Sequence, residues 1–130
     1  MKVLVIDNEP NLRTAIKALL QAFCPEIKTI EEADGVKSGL QKIKAFQPDI
    51  VLLDVEMDDG SGFDLMKQVV NPGFQLIFVT AHNKYAIEAF QFSAIDYLLK
   101  PVDPDALQIS IQKAAVNMRN SNLQQQVQIL

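Results

Sequence analysis

Residues 3–10 read VLVIDNEP: four consecutive apolar side chains run into Asp7, Asn8 and Glu9, and Pro10 closes the stretch. A strand with one wet face alternates apolar with polar residues. An unbroken apolar run of this length is instead the pattern of a strand covered on both faces. Three more runs share it: IVLL (50–53), LIFV (76–79) and IDYLL (95–99). A fifth candidate, EIKTIEEA (26–33), is far more polar and suits an edge strand.

Helical patterns separate these runs. The first opens at Pro10, a residue favoured in the first turn, and carries Leu12, Ala15, Ile16, Leu19, Leu20 and Phe23 at helical spacing. The second, over 35–46, has Val36, Leu40, Ile43 and Phe46 on one face and stops before Pro48. Shorter helices are predicted over 62–70 and 84–91. The last runs from Pro104 to Arg119, with Leu107, Ile111, Ala114, Ala115 and Met118 inward. Five β-α alternations imply an α/β fold with a parallel sheet and helices on both faces. Right-handed crossovers reduce this to a doubly wound sheet. The polar second strand at an edge favours the five-stranded order 2-1-3-4-5, the flavodoxin-like arrangement.

Composition bounds the function. The chain has the size of one domain, residues 1–119, and the Gln-rich tail 120–130 reads as a helix extension or the start of a linker. Twelve basic against sixteen acidic residues give a net charge of −4, which argues against this segment gripping nucleic acid by itself. No apolar run approaches the ~20 residues of a membrane span, and residues 1–10 are too short of apolar length for a secretory signal. A cytoplasmic protein with no membrane partner is expected. Cys24 is the only cysteine, which excludes an intrachain disulfide and reads as a small hydrophobe at a helix end.

The apolar strands end on Asp7, Asp54, Thr80 and Lys100. In a parallel sheet these ends lie along one edge, where such folds bind ligands. Residues 54–59 read DVEMDD, four carboxylates in six positions, with Asp7 and Glu9 predicted close by. Like charges at that range raise one another's pKa unless a cation relieves them. Oxygen ligands without His or Cys point to Mg2+, with Mn2+ as the alternative. A phosphate would explain the remaining residues: Lys100 pairs with one phosphate oxygen and the Thr80 hydroxyl donates to another. Asp54 is then the nucleophile, forming an aspartyl phosphate.

These residues resemble the receiver domain of two-component response regulators. VLVIDNEP resembles the family's acidic end of strand 1, IVLLDVEM its phosphoacceptor strand, FVTAH (78–82) its switch Thr/Ala, and YLLKP (97–101) its Lys-Pro. The match covers residues 2–119. TAHNKYAIEAFQFSAIDYLLKPV (80–102) resembles receivers of the LytTR subfamily, which implies transcription regulation through a C-terminal DNA-binding domain beyond this chain.

The resemblance implies that Asp54 accepts phosphate from a sensor histidine kinase or a small phosphodonor. It implies that Asp7 and the Asn8 position hold Mg2+ with Asp54 and the Glu56 main-chain carbonyl. Thr80 and Tyr97 are then a switch pair, and Pro101 follows Lys100 through a cis peptide. The domain catalyses only its own phosphorylation and dephosphorylation and is otherwise no enzyme. A phosphorylation-dependent homodimer is implied through the face of the fourth helix, fifth strand and fifth helix.

Two positions depart from the family pattern. Asn8 stands where a second Asp is usual and brings no charge, so weaker metal affinity is expected. Asp58 stands where Pro is usual, and the loop DDGSG (58–62) is expected to be more mobile and more negative than is usual in the family. These favour a competing reading, a pseudo-receiver that binds partners without phosphorylation. His82, the only histidine, is read either as an exposed loop residue or as a group tuning access of hydrolytic water. A flavodoxin would need a glycine- and hydroxyl-rich loop where DNEPNLR stands. A haloacid-dehalogenase-type phosphatase would need a second Asp where Glu56 stands.

Overall fold

A computed structural model describes the backbone of residues 1–129 and the side chains of residues 1–124. In chain order the elements are β1 (Lys2–Ile6), α1 (Pro10–Phe23), β2 (Thr29–Ala33), α2 (Val36–Phe46), β3 (Ile50–Leu53), β4 (Glu56–Met57), β5 (Gly60–Ser61), α3 (Gly62–Lys67), β6 (Gln75–Thr80), α4 (Ala86–Gln91), β7 (Asp96–Leu99) and α5 (Pro104–Ile129). A single 3-10 turn, Asn83–Tyr85, leads into α4. The main sheet is parallel throughout, in the order β2-β1-β3-β6-β7. Counting only its five strands, this is the 2-1-3-4-5 order that the sequence predicts.

The continuous apolar runs follow from coverage on both sides. Strand side chains alternate between faces, and each face has its own core. Val3, Val5, Ile50, Leu52, Ile77 and Val79 pack with Ile16, Leu20 and Cys24 near α1 and Leu107, Ile111 and Ala114 of α5. Leu4, Ile6, Val51, Leu53, Leu76 and Phe78 pack on the opposite face with Val36, Phe63, Leu65, Met66 and Ala89. Burying one such aliphatic side chain contributes roughly 1.5–3 kcal/mol, so the two layers hold the strand ends in fixed register.

The edges behave differently. In β2, Glu32 pairs with Arg13 at 3.0 Å and Lys17 at 2.9 Å on α1, while Glu31 pairs with Lys42 of α2 at 2.6 Å. Its polarity therefore comes from charged pairs on both faces of the sheet edge. At the other edge Leu99 is exposed, unlike the covered residue its run suggests. Phe23 also points to solvent although it falls in the apolar stripe of α1.

The stretch DDGSG is held by hydrogen bonds at several points. β4 and β5 form an antiparallel hairpin that pairs Glu56 with Ser61 and Met57 with Gly60. Asp59 at its tip accepts from the backbone N–H groups of Val36 (2.7 Å) and Lys37 (3.1 Å), capping α2 from across the fold. Ser61 and Asp64 then cap α3 reciprocally. Gly62 is required at its position, because a Cβ there would lie 2.4 Å from the main-chain oxygen of Asp54.

Candidate phosphoryl-transfer site

Register brings the site together. Ile6 lies opposite Leu53 and Leu53 opposite Phe78, so Asp7 and Asp54 leave neighbouring strands at the same level. Thr80 lies opposite Leu99, which sets Lys100 one residue beyond it. Backbone hydrogen bonds carry the ladder outward: Asp54 N–H donates to Ile6 O at 3.0 Å and Lys100 N–H to Thr80 O at 2.9 Å. The peptide between Lys100 and Pro101 is cis.

Asp7 is 2% exposed, Asp54 5%, and the Thr80 side chain is fully covered. The Lys100 ammonium sits between the acids, 2.9 Å from Asp7 Oδ2 and 3.1 Å from Asp54 Oδ2. Glu9 reaches it only at 4.0 Å. One cation thus faces two buried carboxylates, which leaves the trio one negative charge in excess. The consequence shows in the acid: burial first, and the Asp7 charge second, push the Asp54 carboxyl above its ordinary pKa, although Lys100 opposes them. Burial works against the Lys100 charge, but its bond to Asp7 and the charges of both acids hold its pKa above the usual lysine value.

Such a site suits a hard cation. Its donors are oxygens, and it lacks one positive charge. Among the described residues no cluster of three or more acid, histidine or cysteine side chains has metal-holding geometry. The donor set therefore fits an ion that takes two carboxylates and completes its shell with carbonyl, water and phosphate oxygens, which is the habit of Mg2+. Asn8 and Glu56 line the same cleft of about 320 Å3, together with Glu9, Asp54, Asp58, Thr80, His82 and Lys100. The Asn8 amide donates to Asp58 Oδ1 at 3.4 Å, so the two residues that depart from the family pattern meet each other at the cleft mouth.

Several contacts were not legible in the sequence. Glu56 is held on both oxygens, by His82 Nε2 at 2.9 Å and by the Tyr85 hydroxyl at 2.6 Å. The Tyr85 bond first, and the His82 charge after it, keep Glu56 below the usual glutamate pKa while slight desolvation opposes them. Tyr97 donates its hydroxyl to the His82 main-chain oxygen, and burial raises the pKa of that phenol. Arg13 donates to the Asp7 main-chain oxygen at 2.6 Å, which fixes the end of β1. Thr80 and Tyr97 are thus linked through one short segment: Thr80 Oγ1 accepts from His82 N–H at 3.4 Å. His82 is half-exposed and its Nε2 meets Glu56 Oε2 at 2.9 Å, so it is more than a bare loop residue.

Cys24 is buried, and burial with the nearby Glu26 charge pushes its thiol up to about 11. It is a packing residue. Among the described residues no helix is long and apolar enough to cross a membrane.

Known proteins resemble the chain in sequence and in fold. The chain is 38% identical over 116 residues to the sensory transduction protein LytT of Bacillus cereus, covering 87% of this chain and 46% of that protein. It is 35% identical over 125 residues to the sensory transduction protein LytR of Staphylococcus haemolyticus, covering 94% and 48%. The chain therefore spans about half the length of these relatives. The signal receiver domain of a Luxo repressor protein from Vibrio parahaemolyticus superposes with a TM-score of 0.84 at 24% identity, over 94% of this chain and 95% of that one, which shows the fold. The response regulator TrrA of Thermotoga maritima, solved in complex with Mg2+-BeF, has a TM-score of 0.77 at 28% identity, over 87% and 97%. The model of the response regulator receiver domain matches residues 3–112, nearly all of the two-faced sheet and every strand-end residue of the cleft, and the chain belongs to that family.

Proposed function

We propose that the domain is a phosphorylation-driven signalling switch with Asp54 as phosphoacceptor. The observation that carries this reading is the buried trio: Asp7 and Asp54 share one ammonium, Lys100, at 2.9 and 3.1 Å. In the transfer, an Asp54 carboxylate oxygen attacks phosphorus as the bond from phosphorus to the donor breaks. The donor is a kinase phosphohistidine or a small acyl phosphate, and the leaving group departs with the bonding electrons. Asp7, Asp54, the Glu56 main-chain carbonyl and Asn8 would hold Mg2+, which when bound neutralises charge on the transferring phosphoryl group.

Lys100 is already placed to follow the charge. Once Asp54 carries a phosphoryl group, its ammonium pairs with a phosphoryl oxygen while keeping Asp7. Thr80 donates its hydroxyl to another. Moving the Thr80 hydroxyl disturbs its contact with His82 N–H, and through the His82 carbonyl the hydroxyl of Tyr97. Phosphate thereby favours a form whose contacts to Thr80 and Lys100 the other form lacks, a population shift.

Exposed Ile87 and Phe90 on α4 and Leu99 on β7 support a phosphorylation-dependent homodimer through α4, β7 and α5. A sensor histidine kinase is the upstream partner, and DNA is contacted through an output domain outside this chain.

Thermal unfolding with Mg2+ and beryllofluoride, the phosphoryl mimic bound in TrrA, tests the site. A rise in Tm for the wild type that Asp54→Ala abolishes is expected. No rise with either Mg2+ or Mn2+ would favour the pseudo-receiver reading, to which the Asn8–Asp58 contact lends support.

A further inference from the structure

Asp7 is bonded at every polar atom. Its N–H donates to Ala33 O of β2 at 3.0 Å. Its Oδ1 accepts from the Glu9 N–H at 2.9 Å, and its Oδ2 meets Lys100 Nζ at 2.9 Å. The main-chain oxygen is the fourth, and Arg13 Nη1 donates to it at 2.6 Å. The same guanidinium donates from Nε to Glu32 Oε1 at 3.0 Å, while Lys17 holds Glu32 Oε2 at 2.9 Å. An ion-pair network at the edge of the sheet thus aims one further N–H at the end of β1.

That oxygen belongs to the peptide that joins Asp7 to Asn8. A peptide unit is planar, so one bond to its oxygen sets the direction in which both residues leave it. Asp7 and Asn8 are two of the residues proposed above to hold Mg2+, the reading on which the inference rests. The Glu9 bond to Asp7 Oδ1 lies within the turn, so it shapes the turn without tying it to a neighbouring element. Arg13 is built into α1 and held by Glu32 of β2, and it supplies that tie.

Asp7 is only 2% exposed. Without Arg13 its oxygen reaches water only if the peptide turns, and an unmade bond at a covered carbonyl is costly enough to favour the turn. The shape of the guanidinium matters as well as its charge. Its planar fork serves the Asp7 oxygen and the Glu32 carboxylate from two different nitrogens, which a lysine ammonium cannot reproduce.

We infer that Arg13 is a positioning residue for the metal. Through the Asp7 oxygen it holds the Asp7–Asn8 peptide in the orientation that presents both side chains to a divalent ion. The sign of the effect separates positioning from plain electrostatics. Arg13 is a cation near the cleft, so removing its charge alone would strengthen the binding of another cation. Losing the orientation weakens it. Residues that orient metal ligands typically supply 10–100-fold in affinity. Arg13 acts on main chain and not on the ligating carboxylate, so the lower end, about tenfold, is expected.

The test is a Mn2+ titration of the 130-residue chain, with free ion followed by electron paramagnetic resonance and a urea midpoint measured for each variant. Arg13→Met binds Mn2+ about tenfold more weakly than the wild type. Arg13→Lys keeps the charge and binds more weakly too, by a smaller factor, which isolates the geometry and decides the matter if Arg13→Met does not fold. Lys17→Met and Glu32→Gln break the same ion-pair network but leave the bond to Asp7, and they bind Mn2+ as the wild type does. An Arg13→Met variant that binds as tightly as the wild type, or more tightly, overturns the inference while the metal reading stands. So does wild-type affinity in Arg13→Lys. Equal weakening in Lys17→Met or Glu32→Gln also overturns it, because loss of the ion pairs would then be the cause. A wild type that binds no Mn2+ brings down the metal reading and the inference together.

Discussion

Replacing Lys100 with methionine keeps the length of the side chain and removes its charge. Asp7 and Asp54 are almost fully covered and the Lys100 side chain is only 12% exposed, so solvent screening does little for this trio. Removing one partner of a buried charge pair typically costs about 3–5 kcal/mol, because the other charge stays behind uncompensated. Burial and the Asp7 charge already push the Asp54 carboxyl above its ordinary pKa, so proton uptake relieves part of the loss as pH falls. A loss of at least about 3 kcal/mol is expected at pH 8. With a urea m-value of about 2 kcal/mol/M for a domain of this size, the midpoint falls by roughly 1.5 M.

The pH dependence follows from the same charges. Lys100 opposes the upward push on Asp54, so its loss raises the folded-state pKa of Asp54 further while the unfolded value stays put. A group raised in the fold favours folding below its unfolded pKa and loses that contribution as pH rises through its folded pKa. Lys100, itself raised, contributes fully at every pH below its unfolded value and is constant between pH 5 and 8. The gap between wild type and variant therefore narrows as pH falls from 8 to 5. A urea midpoint within about 0.3 M of wild type at pH 8, or a gap that widens toward pH 5, would refute the reasoning.

Three other outcomes are expected. Gly62→Ala places a methyl group 2.4 Å from the Asp54 carbonyl; a stability loss of at least about 1–3 kcal/mol should be measured in urea, with reduced beryllofluoride binding because the backbone of the acceptor shifts. Asn8→Asp adds a charge at the cleft mouth and should tighten Mg2+ binding on the order of tenfold by titration calorimetry; unchanged affinity would place residue 8 outside the metal's reach. Asp96 is partly desolvated, but its bonds to Ser110, the Tyr97 N–H and Lys113 prevail and hold its pKa below the ordinary value. Its contribution is present above the unfolded carboxylate pKa and is lost as pH falls through the lower folded one, so Asp96→Asn should flatten acid destabilisation in that window in a series of thermal melts.

VLVI, IVLL and LIFV could be read directly because two-sided burial leaves a signature at consecutive positions, and it does so within a handful of residues. The strand-end residues followed from topology: once the order 2-1-3-4-5 is set, Asp7, Asp54, Thr80 and Lys100 must share an edge. Contacts between loops left no comparable local trace. Asp59 caps α2 from 23 residues away, and nothing in DDGSG points to Val36. The DDG step is a turn signal that could have suggested the hairpin, but the hairpin's anchor depends on how α2 packs. Glu56, His82 and Tyr85 likewise meet only because β4 and the turn after β6 are brought face to face. Phe23 and Leu99 show the converse, since apolar character at the right spacing does not ensure cover at the end of a helix or on an edge strand.

The account rests on Asp54 as the acceptor, and intact mass after incubation with Mg2+ and acetyl phosphate tests that most directly. The wild type should gain the mass of one phosphoryl group, lose it at alkaline pH as acyl phosphates do, and require the divalent ion, while Asp54→Asn gains nothing. An Asp54→Asn protein that takes up phosphate as the wild type does, or a wild type that stays unmodified with Mg2+, Mn2+ and a second small phosphodonor, would contradict it.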